Sequence, residues 1–265
     1  MIQGVWTALP NLWSGTSPDL VERTVNGLLT RGIDGMLALG TTGRGAELTL
    51  PQRMQALEQL VRAAGDGKRI IAAISANPAA DVRTLLEHAT SVGVKGVAIT
   101  PPFYSSWTNS ELLDWIEAAV GTGPRGVEVY LYQIPSAVRN DWQPEILTQV
   151  DQRIGIAGIK DSSGDIQQLI KYLAWSRERT FSVMVGNERL TTYCLMLGGS
   201  GIVSGLSTAY PELLVQAYAA CQHKDWDAAA ALQHDINEKL DQFAQVPARR
   251  TGDVLLELAH EHGVL

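Results

Sequence analysis

Residues 155–165 read Gly155-Ile156-Ala157-Gly158-Ile159-Lys160-Asp161-Ser162-Ser163-Gly164-Asp165. A short apolar run, Ile156–Lys160, closes on a lysine and is followed by turn-forming residues. The run does not alternate polar with apolar, which is the pattern of a strand buried on both faces of a parallel sheet. Working outward, similar runs recur at Gly4–Leu9, Gly35–Leu39, Ile70–Ser75, Gly96–Thr100, Val127–Gln133, Phe181–Val185 and Gly201–Ser204, making eight candidate strands in all. The longer segments between them have helical period and capped starts. Ser17-Pro18-Asp19 opens the first, Thr49-Leu50-Pro51 the second, and Thr108 with Glu111 forms a capping box. Gly32, Gly65 and Gly93 end helices. Eight such units predict an α/β fold, a (β/α)8 TIM barrel, whose usual length is about 250 residues. The runner-up, an open doubly wound sheet, lacks its GxGxxG after the first strand. From Pro211 onward the chain reads as about three helices with no strand, broken at Lys224-Asp225 and near Pro247. The expected organisation is a barrel over residues 1–210 and a C-terminal helical appendage over 211–265 packed on it.

The 265 residues are 45% apolar and 18% charged, with a net charge of −7. That composition is ordinary for a globular protein, and the acidic balance argues against a nucleic-acid partner. Two cysteines, Cys194 and Cys221, make no disulfide framework and fit a reducing cytoplasm. No signal-peptide pattern opens the sequence, and no apolar stretch approaches the roughly 20 residues that span a bilayer. The expectation is a cytoplasmic protein with no membrane partner.

A (β/α)8 barrel carries its active site at the C-terminal ends of its strands. The five histidines, His88, His223, His234, His260 and His262, all fall in helical segments, so no metal site is expected. Of the six lysines, Lys68 and Lys95 precede strands, and Lys171, Lys224 and Lys239 lie in helices. Lys160 alone closes a strand. An apolar setting disfavours a charged ammonium, and a neutral amine can attack a ketone to form an imine. The competing reading is a lysine paired with Asp161 or Asp165. Tyr132 ends the preceding strand, where its phenol is placed to move protons beside Lys160 or to be a solvated rim aromatic. Gly40-Thr41-Thr42-Gly43 follows the second strand and offers hydroxyls to a carboxylate, or is simply a capped turn. Gly186 ends the seventh strand and offers a backbone N–H. The stretch from Gly198 to Thr208, GGSGIVSGLST, brackets the eighth strand as a candidate anion site. Arg44 and Glu47, just past the Gly-Thr-Thr-Gly turn, are either substrate-facing or a surface ion pair.

Taken in order, GTTG at 40–43, TPPFY at 100–104, YQIPS at 132–136, GIKDSSGD at 158–165, GNE at 186–188 and GGSGIVS at 198–204 make the chain similar to one family. It resembles, over essentially its whole length, the N-acetylneuraminate lyase and dihydrodipicolinate synthase superfamily of pyruvate-dependent class I aldolases. The resemblance implies that Lys160 forms the imine, that Tyr132 is the catalytic tyrosine and that Thr41 is its partner in a proton relay. Thr42 matches the threonine that binds the pyruvyl carboxylate, and Gly186, Val203 and Ser204 match pocket-lining positions. Tyr104 matches the relay tyrosine that reaches in from a neighbouring subunit; under a one-residue shift Phe103 takes that place. No cofactor is implied beyond the covalent imine.

The departures bear on substrate. Ala137 stands where dihydrodipicolinate synthases carry a carboxylate-binding arginine, with Arg139 two residues on. Arg44 replaces a glutamate, and Gln133 an asparagine. The pattern is closer to the 2-keto-3-deoxy sugar acid aldolases, so cleavage of such an acid to pyruvate and an aldehyde is the leading expectation. Dihydrodipicolinate synthase, N-acetylneuraminate lyase and sugar-acid dehydratase activities are alternatives on the same imine. A non-catalytic sugar-acid-binding barrel and a phosphate-binding barrel isomerase are alternatives of other classes. The resemblance also implies a homo-oligomer, a dimer of dimers. The aromatic and proline-rich segment from Pro101 to Trp107 would be a poor surface on a monomer.

Overall fold

The computed structural model describes residues 1–13, 16–122, 126–243, 245–247 and 250–265. Eight strands alternate with helices: β1 Gly4–Ala8, β2 Gly35–Ala38, β3 Ile70–Ala73, β4 Gly96–Ile99, β5 Glu128–Gln133, β6 Gly158–Asp161, β7 Ser182–Val185 and β8 Gly201–Ser204. Each pairs in parallel with its neighbours in chain order, and β8 closes on β1. The fold is therefore a TIM barrel, as the run of buried apolar segments predicts. Most strands stop or start a residue or two inside the expected bounds. At β2 the reason is local: Leu39 takes φ 61°, a left-handed conformation that no strand continues through.

The helices are α1 Pro18–Thr30, α2 Leu50–Ala64, α3 Ala79–Ser91, α4 Asn109–Val120, α5 Leu147–Ile154, α6 Ile166–Ser176, α7 Thr191–Met196, α8 Pro211–Gln222, α9 Trp226–Gln242 and α10 Thr251–Glu261. The predicted caps form. Ser17 Oγ accepts from Leu20 N at 3.2 Å, and Thr108 and Glu111 bond reciprocally. α8 follows β8 as each earlier helix follows its strand, so the ring takes its eighth helix from beyond residue 210. α9 and α10 then continue, with no strand between them among the described residues. No helix among the described residues is long and apolar enough to cross a membrane.

Period-2 alternation divides the barrel core into two layers. Val5, Met36, Ile70, Val97 and Ile159 face the helices. Trp6, Leu37, Ile71, Ala98, Tyr130, Tyr132, Met184 and Val203 fill the interior. Burial of both layers is what fixes the strand register, because a one-residue slip would exchange them. That register decides which strand-end side chains meet at the barrel mouth.

Candidate active site

Lys160 is the register partner of Tyr132 on β5 and of Met184 on β7. Partners on parallel neighbours project from the same face. Tyr132 and Met184 belong to the interior layer, so Lys160 points into the mouth of the barrel. Its Nζ donates to the Tyr132 hydroxyl at 3.1 Å and lies 4.2 Å from the centroid of that ring. Both residues are buried. The alternative pairing with a neighbouring aspartate is not made. Asp161 accepts from Ser163 N at 2.9 Å. Asp165 caps α6, accepting from Gln167 N at 2.8 Å and Gln168 N at 3.2 Å. Burial holds the Asp161 carboxyl above the usual carboxylate range, against the hydrogen bonds from Ser163 that lower it.

Thr41 supplies the next link, its Oγ1 standing 3.3 Å from the Tyr132 hydroxyl. The turn that carries it is bent sharply. Leu39 and Arg44 flank it with φ of 61° and 52°, and Arg44 N closes it on Thr41 O at 3.0 Å. Non-glycine residues held in this region store strain and cluster at functional sites.

Lys160, Tyr132, Thr41, Thr42, Gly186 and Val203 all line one cavity of about 250 Å³. Six of the sequence-derived site residues therefore converge. The C-terminal helices roof the cavity with Leu240, Phe243, Thr251 and Leu255. α10 can come this close because Gly252 has no side chain: a Cβ there would stand 2.9 Å from Thr42 O. Among the described residues no group of His, Cys, Asp and Glu side chains is arranged to hold a metal ion.

Two expectations are corrected. The Gly186 N–H is not open, since it donates to Asp161 O at 2.7 Å. What the glycine provides is space: a Cβ there would lie 2.7 Å from Lys160 Cε. Ser204 does not line the cavity. Strand alternation turns it away from the interior, and its fully buried hydroxyl donates to Glu188 Oε1 at 2.9 Å. The same carboxylate oxygen accepts from Gly205 N at 2.9 Å and Leu206 N at 3.2 Å. The amides expected to bind an anion after β8 are thus taken by Glu188, the last residue of the GNE motif, to which no role was assigned. Tyr104, which the resemblance has reaching in from a neighbouring subunit, stands outside the site of its own chain. It is 88% exposed with φ 92°, whereas Phe103 packs against the interior layer.

A second cavity of about 200 Å³ opens beside the first and shares Thr41, Tyr132 and Ile134 with it. Arg44, Arg53, Thr100, Phe103 and Ala137 stand on its wall. Arg44 is both things the sequence allowed, an ion pair with Glu47 at 3.0 Å and a cavity residue. Arg53 is the residue that strand-end reasoning missed. It lies on α2, on the buried stripe with Ala56, Leu57 and Leu60. A charge on an apolar stripe is the signal that could have found it. Its Nη1 donates to Ser75 O and its Nη2 to Ala73 O, both at 2.9 Å. Burial lowers its pKa to about 10, against the raising influence of Asp81.

A model of the Dihydrodipicolinate synthetase family matches residues 17–259. A 4-hydroxy-tetrahydrodipicolinate synthase of Methanosphaerula palustris is 26% identical over 197 residues, 74% of this chain and 67% of its own. The matched stretches span about two thirds of the length of the first curated relatives. YagE, a prophage protein from E. coli K12 solved in complex with pyruvate, superposes with a TM-score of 0.90 at 20% identity, covering 98% of this chain and 88% of its own. The 2-keto 3-deoxygluconate aldolase from Picrophilus torridus gives 0.86 at 20% identity, covering 99% and 94%. At such identities the structural likeness speaks for the fold. The family match, which runs from the start of α1 into α10 and so takes in every strand but β1 together with the roof of the cavity, decides membership: the chain belongs to the dihydrodipicolinate synthetase family of lyases.

Proposed function

We propose that the protein cleaves a 2-keto-3-deoxy sugar acid to pyruvate and an aldehyde through an imine on Lys160. The observation that carries this reading is the chain of contacts from Lys160 Nζ to the Tyr132 hydroxyl and on to Thr41 Oγ1, at 3.1 and 3.3 Å. A nucleophilic amine needs a neighbour that gives and takes protons, and a phenol within hydrogen-bond reach meets that need.

The uncharged Lys160 amine adds to the C2 ketone. Tyr132 protonates the departing hydroxyl, water leaves, and an iminium stands beside a tyrosinate. The tyrosinate removes the C4 hydroxyl proton, the C3–C4 bond breaks, and its electron pair flows into the iminium to give an enamine and a free aldehyde. Tyr132 returns the proton to C3. Water then adds at C2, releasing pyruvate and restoring amine and phenol. Thr41 orients the phenol throughout. Thr42, on the same cavity wall, is assigned the C1 carboxylate. No cofactor takes part.

Synthesis of dihydrodipicolinate would use the same imine, and the curated relative named above carries that activity's name. Ala137 on the second cavity's wall takes the charge away from the position where the resemblance places that activity's arginine, so the carboxylate of such an aldehyde would have to be met by a different cation. A homo-oligomer in the cytoplasm completes the proposal. The test is borohydride reduction in the presence of pyruvate, followed by peptide mapping, together with a panel of 2-oxo acids assayed for pyruvate release. Label on Lys160 alone is expected. Label on Lys95 or Lys171, or no label, rejects the imine mechanism and leaves a binding barrel.

A further inference from the structure

The proposed chemistry leaves one buried cation unused. Arg53 is 4% exposed. A guanidinium has five N–H donors. Here the two terminal nitrogens each donate to a main-chain carbonyl, while Nε has no acceptor among the described residues. The Thr100 hydroxyl, on the wall of the same second cavity, is also buried without a partner. Arg44 Nε, on the same wall, is a third such atom. Unsatisfied buried polar groups are rare and costly, and three beside one cavity call for a ligand that supplies acceptors.

The charges say which acceptor. Arg44 on that wall is paired with Glu47 at 3.0 Å, whereas Arg53 meets two main-chain carbonyls and no carboxylate among the described residues. Asp81 acts on Arg53 only through its longer-range charge, and the groups in hydrogen-bond contact with Arg53 are neutral. A buried cation so placed gains most from an anion in contact, and the planar fork of a guanidinium matches a carboxylate. Position says where on the substrate that anion sits. The second cavity joins the first at Thr41 and Tyr132. With C2 on Lys160 and the C4 hydroxyl at Tyr132, the chain beyond C4 continues past Tyr132 into the second cavity. Ala137 leaves that cavity unobstructed by a long side chain.

We infer that Arg53 and Thr100 bind a carboxylate at the far end of the substrate, so that the substrate is a 2-oxo-3-deoxy diacid and the aldehyde released carries a carboxylate. This rests on the aldolase reading above and narrows it: the residue that reads the far end lies on α2 and lines the same cavity as Ala137, the position where the family resemblance places an arginine.

The test compares kcat/KM for condensation of pyruvate with two matched pairs of aldehydes, D-glyceraldehyde against tartronate semialdehyde and butanal against succinate semialdehyde. Within each pair a neutral end group is exchanged for a carboxylate. The wild type is expected to favour the carboxylate member of at least one pair by about 10–100-fold, the range of a charge-assisted bidentate bond. Arg53→Gln is expected to bring that ratio close to one, and Thr100→Val to lower it several-fold. The ratio is internal to each variant and is insensitive to a change in the fraction folded. Calorimetry with glycerate and glycerol gives a second readout that needs no imine: glycerate is expected to bind the wild type, and at least tenfold more weakly to Arg53→Gln. Equal rates within both pairs, or a preference unchanged in both variants, overturn the inference. Should Arg53→Gln fail to fold, a preference unchanged in Thr100→Val overturns it. Missing borohydride adduct with Arg53-dependent glycerate binding would reject the aldolase and keep the subsite. A normal adduct with no carboxylate preference would reject the subsite alone.

Discussion

Lys160 extends through the space that a side chain on Gly186 would fill. A Cβ at Gly186 would stand 2.7 Å from Lys160 Cε and 2.1 Å from Ser162 Oγ. The constraint is one of room, since the backbone of Gly186 is held by its own bond to Asp161 O at 2.7 Å. Gly186→Ala is therefore expected to fold and to push the amine off its line to Tyr132. Misplacement of a reacting group by about 1 Å costs on the order of 10²-fold. The rate of borohydride trapping with pyruvate reads this directly, and trapping at the wild-type rate would show that the lysine does not need the space.

Tyr132→Phe removes the hydroxyl that accepts from Lys160 and leaves the ring in the interior layer, so folding should persist. Loss of a positioned proton-transfer group lowers turnover about 10²–10⁴-fold. Thr41→Val should lose less, because Thr41 reaches the reaction only through the phenol, at 3.3 Å. Circular dichroism establishes the fold and pyruvate release the rate. A Tyr132→Phe enzyme within a few-fold of wild type removes the phenol from the mechanism.

The convergence of Lys160, Tyr132 and Thr41 was legible because barrel topology turns a sequence of strand ends into a ring of neighbours. Which residue of a matched segment faces its own site turns on a single step. Val203 faces the interior and Ser204, the next residue, faces away. Phe103 faces in and Tyr104 out. Motif matching finds the segment, and strand parity or loop conformation decides the face. Glu188 and Arg53 were not legible for another reason. Glu188 takes amides 17 and 18 residues away along the chain, a pairing set by tertiary packing. Arg53 reaches the mouth from a helix, outside the strand ends where catalytic groups were sought.

Asp161 lies beside Lys160 in sequence yet faces away from it, and burial raises its pKa above the ordinary value. The sign follows from linkage. With the folded pKa above the unfolded one, the native state binds the extra proton in the window between them, so stability falls as pH rises through that window. Above the folded pKa the ionised carboxylate costs stability in full. Asp161→Asn removes the charge and keeps an oxygen for Ser163 N, bonded at 2.9 Å. It is expected to raise the melting temperature at neutral pH, with the gain shrinking toward zero below the ordinary aspartate pKa. A gain that does not depend on pH, or a loss at neutral pH, would show that the carboxylate's hydrogen bonds outweigh its desolvation.

Tyr104 is the one sequence-assigned catalytic residue that its own chain does not use. It stands 88% exposed at φ 92°, an unfavourable backbone conformation for a bulky residue. The loop around it is nonetheless built firmly. Asn140 donates to Pro102 O at 2.6 Å and to Ser105 O at 2.8 Å, and Asn77 receives Phe103 N at 2.8 Å. A strained, anchored loop that presents an aromatic to solvent fits a surface made for another molecule. Within one chain Phe103 ends the line at the cavity wall and has no hydroxyl to continue a proton path. If a second copy supplies Tyr104 to this site, Tyr104→Phe and Lys160→Ala proteins should each be nearly inactive. A mixture of the two, dissociated and reassembled, should regain part of the wild-type rate, because some sites then combine an intact Lys160 with a neighbour's intact Tyr104. Light scattering supplies the subunit number in the same samples. An active monomer would reject the oligomer altogether, and an oligomer whose mixtures show no rescue would confine Tyr104 to the interface, with no part in the reaction.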